Sequence, residues 1–273
     1  MWSHMNDNNI EVKDLVSMRQ FEGGWIWIKN IDEFSQRVVN ALNKNYGKYD
    51  IKTIARFLNG KVINFKIYND TEWIIKIEPF PTTFLLIVYN ENEEFGPEIK
   101  IFFNKTFLKM VPTEDAYVFI ELYLRYLEYL IETPKIMEFK IMGDIISFDH
   151  ILEISNVEDK EKIKHDILEI RSNIIEKISQ NVIKNISKNL GAHFINGNWN
   201  NMEIDWGLSF SPLKDIIIYN VMNKDGYQVF FSSSILKLRA RDVFFFTWLY
   251  CNAIIRESRK ILGNKLPKLS KYL

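Results

Sequence analysis

The chain has 273 residues, enough for one large core or two modest ones. Lys and Arg number 35 and Asp and Glu number 35, so the charge balances to zero and disfavours a dedicated nucleic-acid binder, which needs a basic excess. The single cysteine, Cys251, excludes an intrachain disulfide and a cysteine-built zinc site, and it fits a reducing cytoplasm.

Met1 to Met5 reads as an expression scar with Met5 as the native start, and no signal peptide follows. Residues 1–24 are expected to be this tag and a polar, loosely ordered lead-in. Trp25-Ile26-Trp27-Ile28 reads as a short strand or an aromatic plug. Ile31–Tyr46 reads as a helix with Phe34, Val38 and Leu42 on one face, stopped by Gly47. Asp50 is placed to cap a second helix that ends at Asn59-Gly60. Strands are predicted at Lys61–Tyr68, Glu72–Glu78, Thr83–Tyr89 and Glu98–Asn104, close enough in sequence to pair as an antiparallel meander. Thr113, with Glu114 and Asp115 in the first turn, opens a helix whose apolar face runs from Tyr117 to Leu130. Lys135–Ser155 reads as a hairpin turning at Gly143-Asp144. An apolar stripe from Ile163 to Leu190 then predicts one long helix.

The Ala-x-Phe-x-Asn-Gly pattern at Ala55–Gly60 recurs at Ala192–Gly197. Further landmarks follow each copy in the same order: Trp73 and Trp206, Tyr89-Asn90 and Tyr219-Asn220, Phe102-Phe103 and Phe230-Phe231, then Asp115 and Asp242. This self-similarity implies an α+β fold made by tandem duplication of an antiparallel β-meander closed by an apolar helix, related by a pseudo-twofold. The expected segments are 25–133 for the first repeat, 134–156 for a linking hairpin, and 157–273 for the long helix plus the second repeat. The second copy repeats strands at Glu203–Phe210, Ile216–Met222 and Tyr227–Ser232 and closes with a helix from Asp242 to Leu262. Its apolar stretch Val243–Ile255 is shorter than the roughly 20 residues a membrane span requires.

No motif for chemistry stands out. His150, His165 and His193 lack ligand spacing, so no metal is expected. Ser232-Ser233-Ser234 lacks a nucleophile elbow, Cys251 sits mid-helix as a structural thiol, and no glycine-rich loop cradles a phosphate, so no cofactor is expected either. The acidic group Glu91, Glu93, Glu94 and Glu98, with Glu114 and Asp115, could converge on a cation or a basic partner; a solvated turn plus an ordinary helix cap is the simpler explanation. The second copy answers with Asn223-Lys224-Asp225, so the two copies differ electrostatically at this turn.

The leading expectation is a cytoplasmic, non-enzymatic binding or interaction protein, acting on a protein partner or as a homo-oligomer. Ile174, Ile178, Val182, Phe245 and Trp248 are its candidate interface residues. The alternative is a small-molecule sensor or enzyme with a pocket between the halves, lined by Trp73, Trp206 and Phe244 and finished by Glu114 or Asp242.

The run Tyr89–Pro97, then Ile101-Phe102-Phe103-Asn104 and Val111-Pro112-Thr113-Glu114-Asp115, resembles the C-terminal signature of an uncharacterised prokaryotic domain family, a domain of unknown function found in methanogens and acetogens. That signature has an acidic turn ending in Phe-Pro, where Gly96 here intervenes, a strand ending in Asp-x-Asn, where the strand here ends Phe103-Asn104-Lys105, and a helix opening on Glu. The resemblance spans residues 89–127. The family has no established activity, so it implies no catalytic residue.

Overall fold

The computed structural model describes residues 10–138 and 144–269. The chain divides into two compact units, residues 1–139 and 140–273.

In the first unit a two-residue strand, β1 (Leu15–Val16), precedes helices α1 (Ile28–Lys44) and α2 (Ile51–Phe57). The meander β2 (Gly60–Ile63), β3 (Thr71–Ile77), β4 (Leu85–Asn92) and β5 (Gly96–Asn104) follows, and α3 (Lys105–Met110) leads to the closing helix α4 (Thr113–Glu132). All strands pair antiparallel in the order β1-β5-β4-β3-β2.

Local chemistry fixes the corners. The Asp50 carboxylate accepts the amides of Lys52 and Thr53 and starts α2, and Asn59, at φ 54°, turns the chain out of it. The Asn104 side chain accepts from Phe107 N at the start of α3 and from Phe84 N across the sheet. The stripe expected on α4 is buried from Tyr117 to Leu130, and α1 packs beside it. The opposite sheet face carries a second apolar cluster of Ile63, Ile74, Phe84, Leu86 and Val88, against which Ile10, Leu15, Phe65, Ile67 and Phe102 pack.

Two expectations at the start of the chain change. From Ile10 on, the lead-in is not a loose polar segment: Val16, Met18 and Phe21 are core residues, and Phe21 meets Phe103 edge-on at 5.1 Å. Residues Gly24–Trp27 form a 3-10 turn running into α1, not a strand, and Trp27 stacks on Tyr117 at 4.2 Å. Gly24 is required there, because a Cβ would stand 2.0 Å from the Met18 carbonyl oxygen. At α4, Pro112 rather than Thr113 is the cap, and the Thr113 hydroxyl donates to the Glu22 carbonyl.

The second unit repeats the plan of edge strand, helices, four-strand meander and closing helix, with more helices before the meander and a 3-10 turn in place of α3: β6 (Ile146–Ser147), α5 (Phe148–Ile154), α6 (Lys160–Lys164), α7 (Ile170–Ile175), α8 (Gln180–Leu190), β7 (His193–Trp199), β8 (Met202–Leu213), β9 (Ile216–Asn223), β10 (Gly226–Phe231) and the closing α9 (Ala240–Leu262). The sheet order β6-β10-β9-β8-β7 mirrors the first. The fold is therefore α+β in two similar halves, as the repeat implied.

The linking hairpin is corrected where it can be seen. Pro134–Met137 is a 3-10 turn, and the expected second strand is β6 followed by α5, capped by the Ser147 hydroxyl accepting from His150 N. Residues 139–143 lie outside the described residues. The long helix is also corrected. It passes through a π-helical turn at His165–Glu169 and breaks after α7, where Ser179, at ψ 152°, starts α8 afresh.

Register corrects the landmarks. Leu85 faces Phe103 in the first sheet and Ile218 faces Phe231 in the second. The hydrogen bond of Phe84 N to the Asn104 side chain has its counterpart in Ile217 N to the Ser232 hydroxyl. Trp73 and Trp206 are then equivalent, as are Asp115 and Asp242, each in the first turn of a closing helix. Tyr89-Asn90 and Tyr219-Asn220 are not: Asn220 takes the place of Ile87. Nor are the Asn-Gly pairs. Phe57 is buried in α2 whereas Phe194 lies half-buried on β7, and Gly197 sits at a bulge inside that strand. The true counterpart of Asn59 is Gly191, which leaves α8 at φ 68°.

Candidate functional site

An open groove of about 680 Å³ lies on the first unit, lined by Ile67, Tyr68, Asn69 and Asp70 from the β2–β3 loop, Asn92 and Phe95 from the β4–β5 hairpin, and Glu98 and Lys100 on β5. That volume falls in the range of ligand pockets.

Hydrogen bonds tie its three walls together. Thr71 Oγ1 accepts from Tyr68 N and donates to Asn90 Oδ1 at 3.0 Å, and Asn90 Nδ2 donates to Glu98 Oε1 at 3.2 Å. Glu91 N donates to the Asp70 carbonyl, and Asn92 Nδ2 donates to Asp70 Oδ2, both at 2.9 Å. The Asn92 Oδ1 then accepts from the amides of Glu94 and Phe95, fixing the hairpin tip. The β2–β3 loop is thus held to the two strands by side chains whose bonds are satisfied, and the groove is preorganised.

Its central charge pair is the chain's own. Lys100 Nζ lies 2.6 Å from Glu98 Oε1 and 4.5 Å from the centre of the Tyr68 ring. Burial works against the charge of Lys100, but the Glu98 hydrogen bond, with Tyr68 and Asp70 behind it, raises its pKa above the ordinary lysine value. Phe95 stands at the rim with 83% of its surface exposed. Glu93 and Glu94 flank it in the turn, exposed.

Of the acidic group marked in the sequence, Glu98 enters the groove. Glu91 accepts from the Tyr89 hydroxyl at 3.2 Å, Glu114 is exposed at the start of α4, and Asp115 is buried beside it. Among the described residues no three His, Cys, Asp or Glu side chains gather to hold a metal ion. The other candidates lie elsewhere. Trp73 stacks on Tyr89 at 5.1 Å on β3, while Trp206 is buried on β8 near Tyr227. Asp242 and Phe244 are buried in the first turns of α9, with Phe244 against Phe148. Ile174, Ile178 and Val182 are buried, with α7 and α8 packed on α9. Phe245 and Trp248 are half-buried, each under a guanidinium, from Arg241 and Arg171 respectively.

Sequence reasoning missed Tyr68, Asp70 and Lys100. The available signal was Asn69-Asp70, a turn pair directly before the strand that opens on Thr71. Register alone carries that turn beside Glu98.

Among the described residues no helix is long and apolar enough to cross a membrane. No curated protein and no solved structure matches the chain. Residues 5–126, which include every residue of the groove, match the family model of a domain of unknown function, DUF3786.

Proposed function

We propose that the protein is a cytoplasmic, non-enzymatic recognition protein whose first unit binds a basic side chain, lysine or arginine, of a protein partner. The observation that carries this reading is the seat of Lys100: an ammonium already held between the Glu98 carboxylate and the Tyr68 ring. A partner's cation entering the groove displaces the Lys100 ammonium from these two groups, with Asp70 adding a second carboxylate, and the exposed Phe95 ring offers apolar contact to the stem of its side chain. The groove is open and shallow, which suits a side chain presented on a surface. The second unit, with Asn223-Lys224-Asp225 at the corresponding hairpin, lacks the acidic tip and serves as scaffold in this reading.

Titration calorimetry of the full chain with a short peptide whose only basic groups are lysine side chains tests the proposal. Binding is expected to weaken with salt, to disappear with the acetylated peptide, and to fall about tenfold, or ~1.4 kcal/mol, on Glu98→Gln. Absence of binding, or equal affinity for the acetylated peptide, would refute it.

A further inference from the structure

The two units differ sharply at one place in their cores. Where the first unit has Ile87, Ile99 and Leu124, the register of strands and closing helices puts Asn220, Tyr227 and Cys251 in the second. All three are buried. They form one chain: the Tyr227 hydroxyl bonds Asn220 Oδ1 and lies 3.2 Å from Cys251 Sγ, and Cys251 Sγ lies 3.8 Å from the same Asn220 oxygen. Glu176 holds Tyr227 in place by accepting its backbone N–H at 3.2 Å.

The chain ends open. Asn220 Nδ2 is wholly buried and has no hydrogen-bond partner among the described residues. Turning the amide over does not close it. The Tyr227 hydroxyl would then accept from Nδ2 and donate to Cys251 Sγ, leaving the amide oxygen as the open end. A buried amide head is normally bonded, to protein or to ordered water.

We infer that the core of the second unit contains a binding site for one small neutral guest, an ordered water molecule, held at the free head of Asn220. Water fits both orientations of the amide because it donates and accepts. The surroundings call for a neutral guest: burial raises the Cys251 thiol to about 11 despite Tyr227 and Arg171, so no thiolate is present to draw a metal cation. The nearby cation is engaged elsewhere, since Arg171 donates to the carbonyls of Asp166 and Ile167 and to Asn252 Oδ1. The site belongs to the second unit, so it stands independently of the groove.

A high-resolution crystal structure of the full chain is the test. The expected result is a single solvent peak about 3 Å from the free amide head of Asn220, lost in Asn220→Leu while the Tyr227 to Cys251 contact remains. A map with no such peak, a protein group bonded to that head, or a peak that persists in Asn220→Leu would overturn the inference. The wild-type map decides the matter even if the variant fails to fold.

Discussion

Single residues carry more of this structure than their sequence context reveals. Asp50 is an example that sequence did expose: a carboxylate ahead of an apolar period, found accepting two amides and the Thr53 hydroxyl. The hydrogen bond from the Thr53 hydroxyl, opposed by desolvation and joined by the amides of Lys52 and Thr53 and the charge of Arg56, leaves its pKa below the ordinary 3.8. A depressed carboxylate stabilises the fold above its ordinary pKa, and that contribution is lost as pH falls through the folded value. Asp50→Ala is therefore expected to remove about 1 kcal/mol at neutral pH and less in strong acid, where the carboxyl is neutral, measured by urea denaturation at the two pH values. An equal loss at both would contradict the contribution of its charge. Gly24 was not legible, since nothing in Gly23-Gly24 says that the Met18 carbonyl lies against it. Gly24→Ala should destabilise the protein by about 1–3 kcal/mol, as overpacking does, with a matching drop in the denaturation midpoint. In the groove, Glu98 could be marked from its acidic run, but Tyr68 and Lys100 are joined to it only by strand register and a loop fold.

At the scale of elements, what repeats periodically was readable and what is short or displaced was not. Strands of the meander and the two closing helices announce themselves through alternation and the helical stripe. Two-residue edges such as β1 and β6 have no period to show. The stripe through Ile174, Ile178 and Val182 hid the break at Ser179, because burial continues on either side of it, and Ile163 and Ile167, half-buried at helical spacing, carried the stripe across the π turn. Asn-Gly misled for a physical reason: it marks tolerance of positive φ, which the chain uses at a helix end at Asn59 and at a strand bulge at Gly197. The π turn has a definite support, since the guanidinium of Arg171 takes the Asp166 and Ile167 carbonyls. Arg171→Met keeps the stem but leaves those part-buried acceptors short of a donor, at a cost of about 1 kcal/mol. Hydrogen exchange should speed up first in residues 160–175; uniform acceleration across the second unit would show that the guanidinium does not act on this turn.

Considered as a whole molecule, the chain runs one plan twice and fills it with different chemistry. The first copy concentrates polar groups outside, on the groove at its hairpin and loop, and keeps Ile87, Ile99 and Leu124 within. The second places its Asn-Tyr-Cys chain inside. Every residue that lines the groove, and every hydrogen bond that braces it, lies between Ile67 and Lys100, within one compact unit that has its own core and closing helix. If recognition resides there, residues 1–139 expressed alone should fold and bind the basic peptide within about threefold of the full chain, a difference under about 0.7 kcal/mol. Circular dichroism would establish folding and calorimetry the affinity. A folded first unit that has lost binding would mean that the second copy supplies contacts to the partner and is more than scaffold.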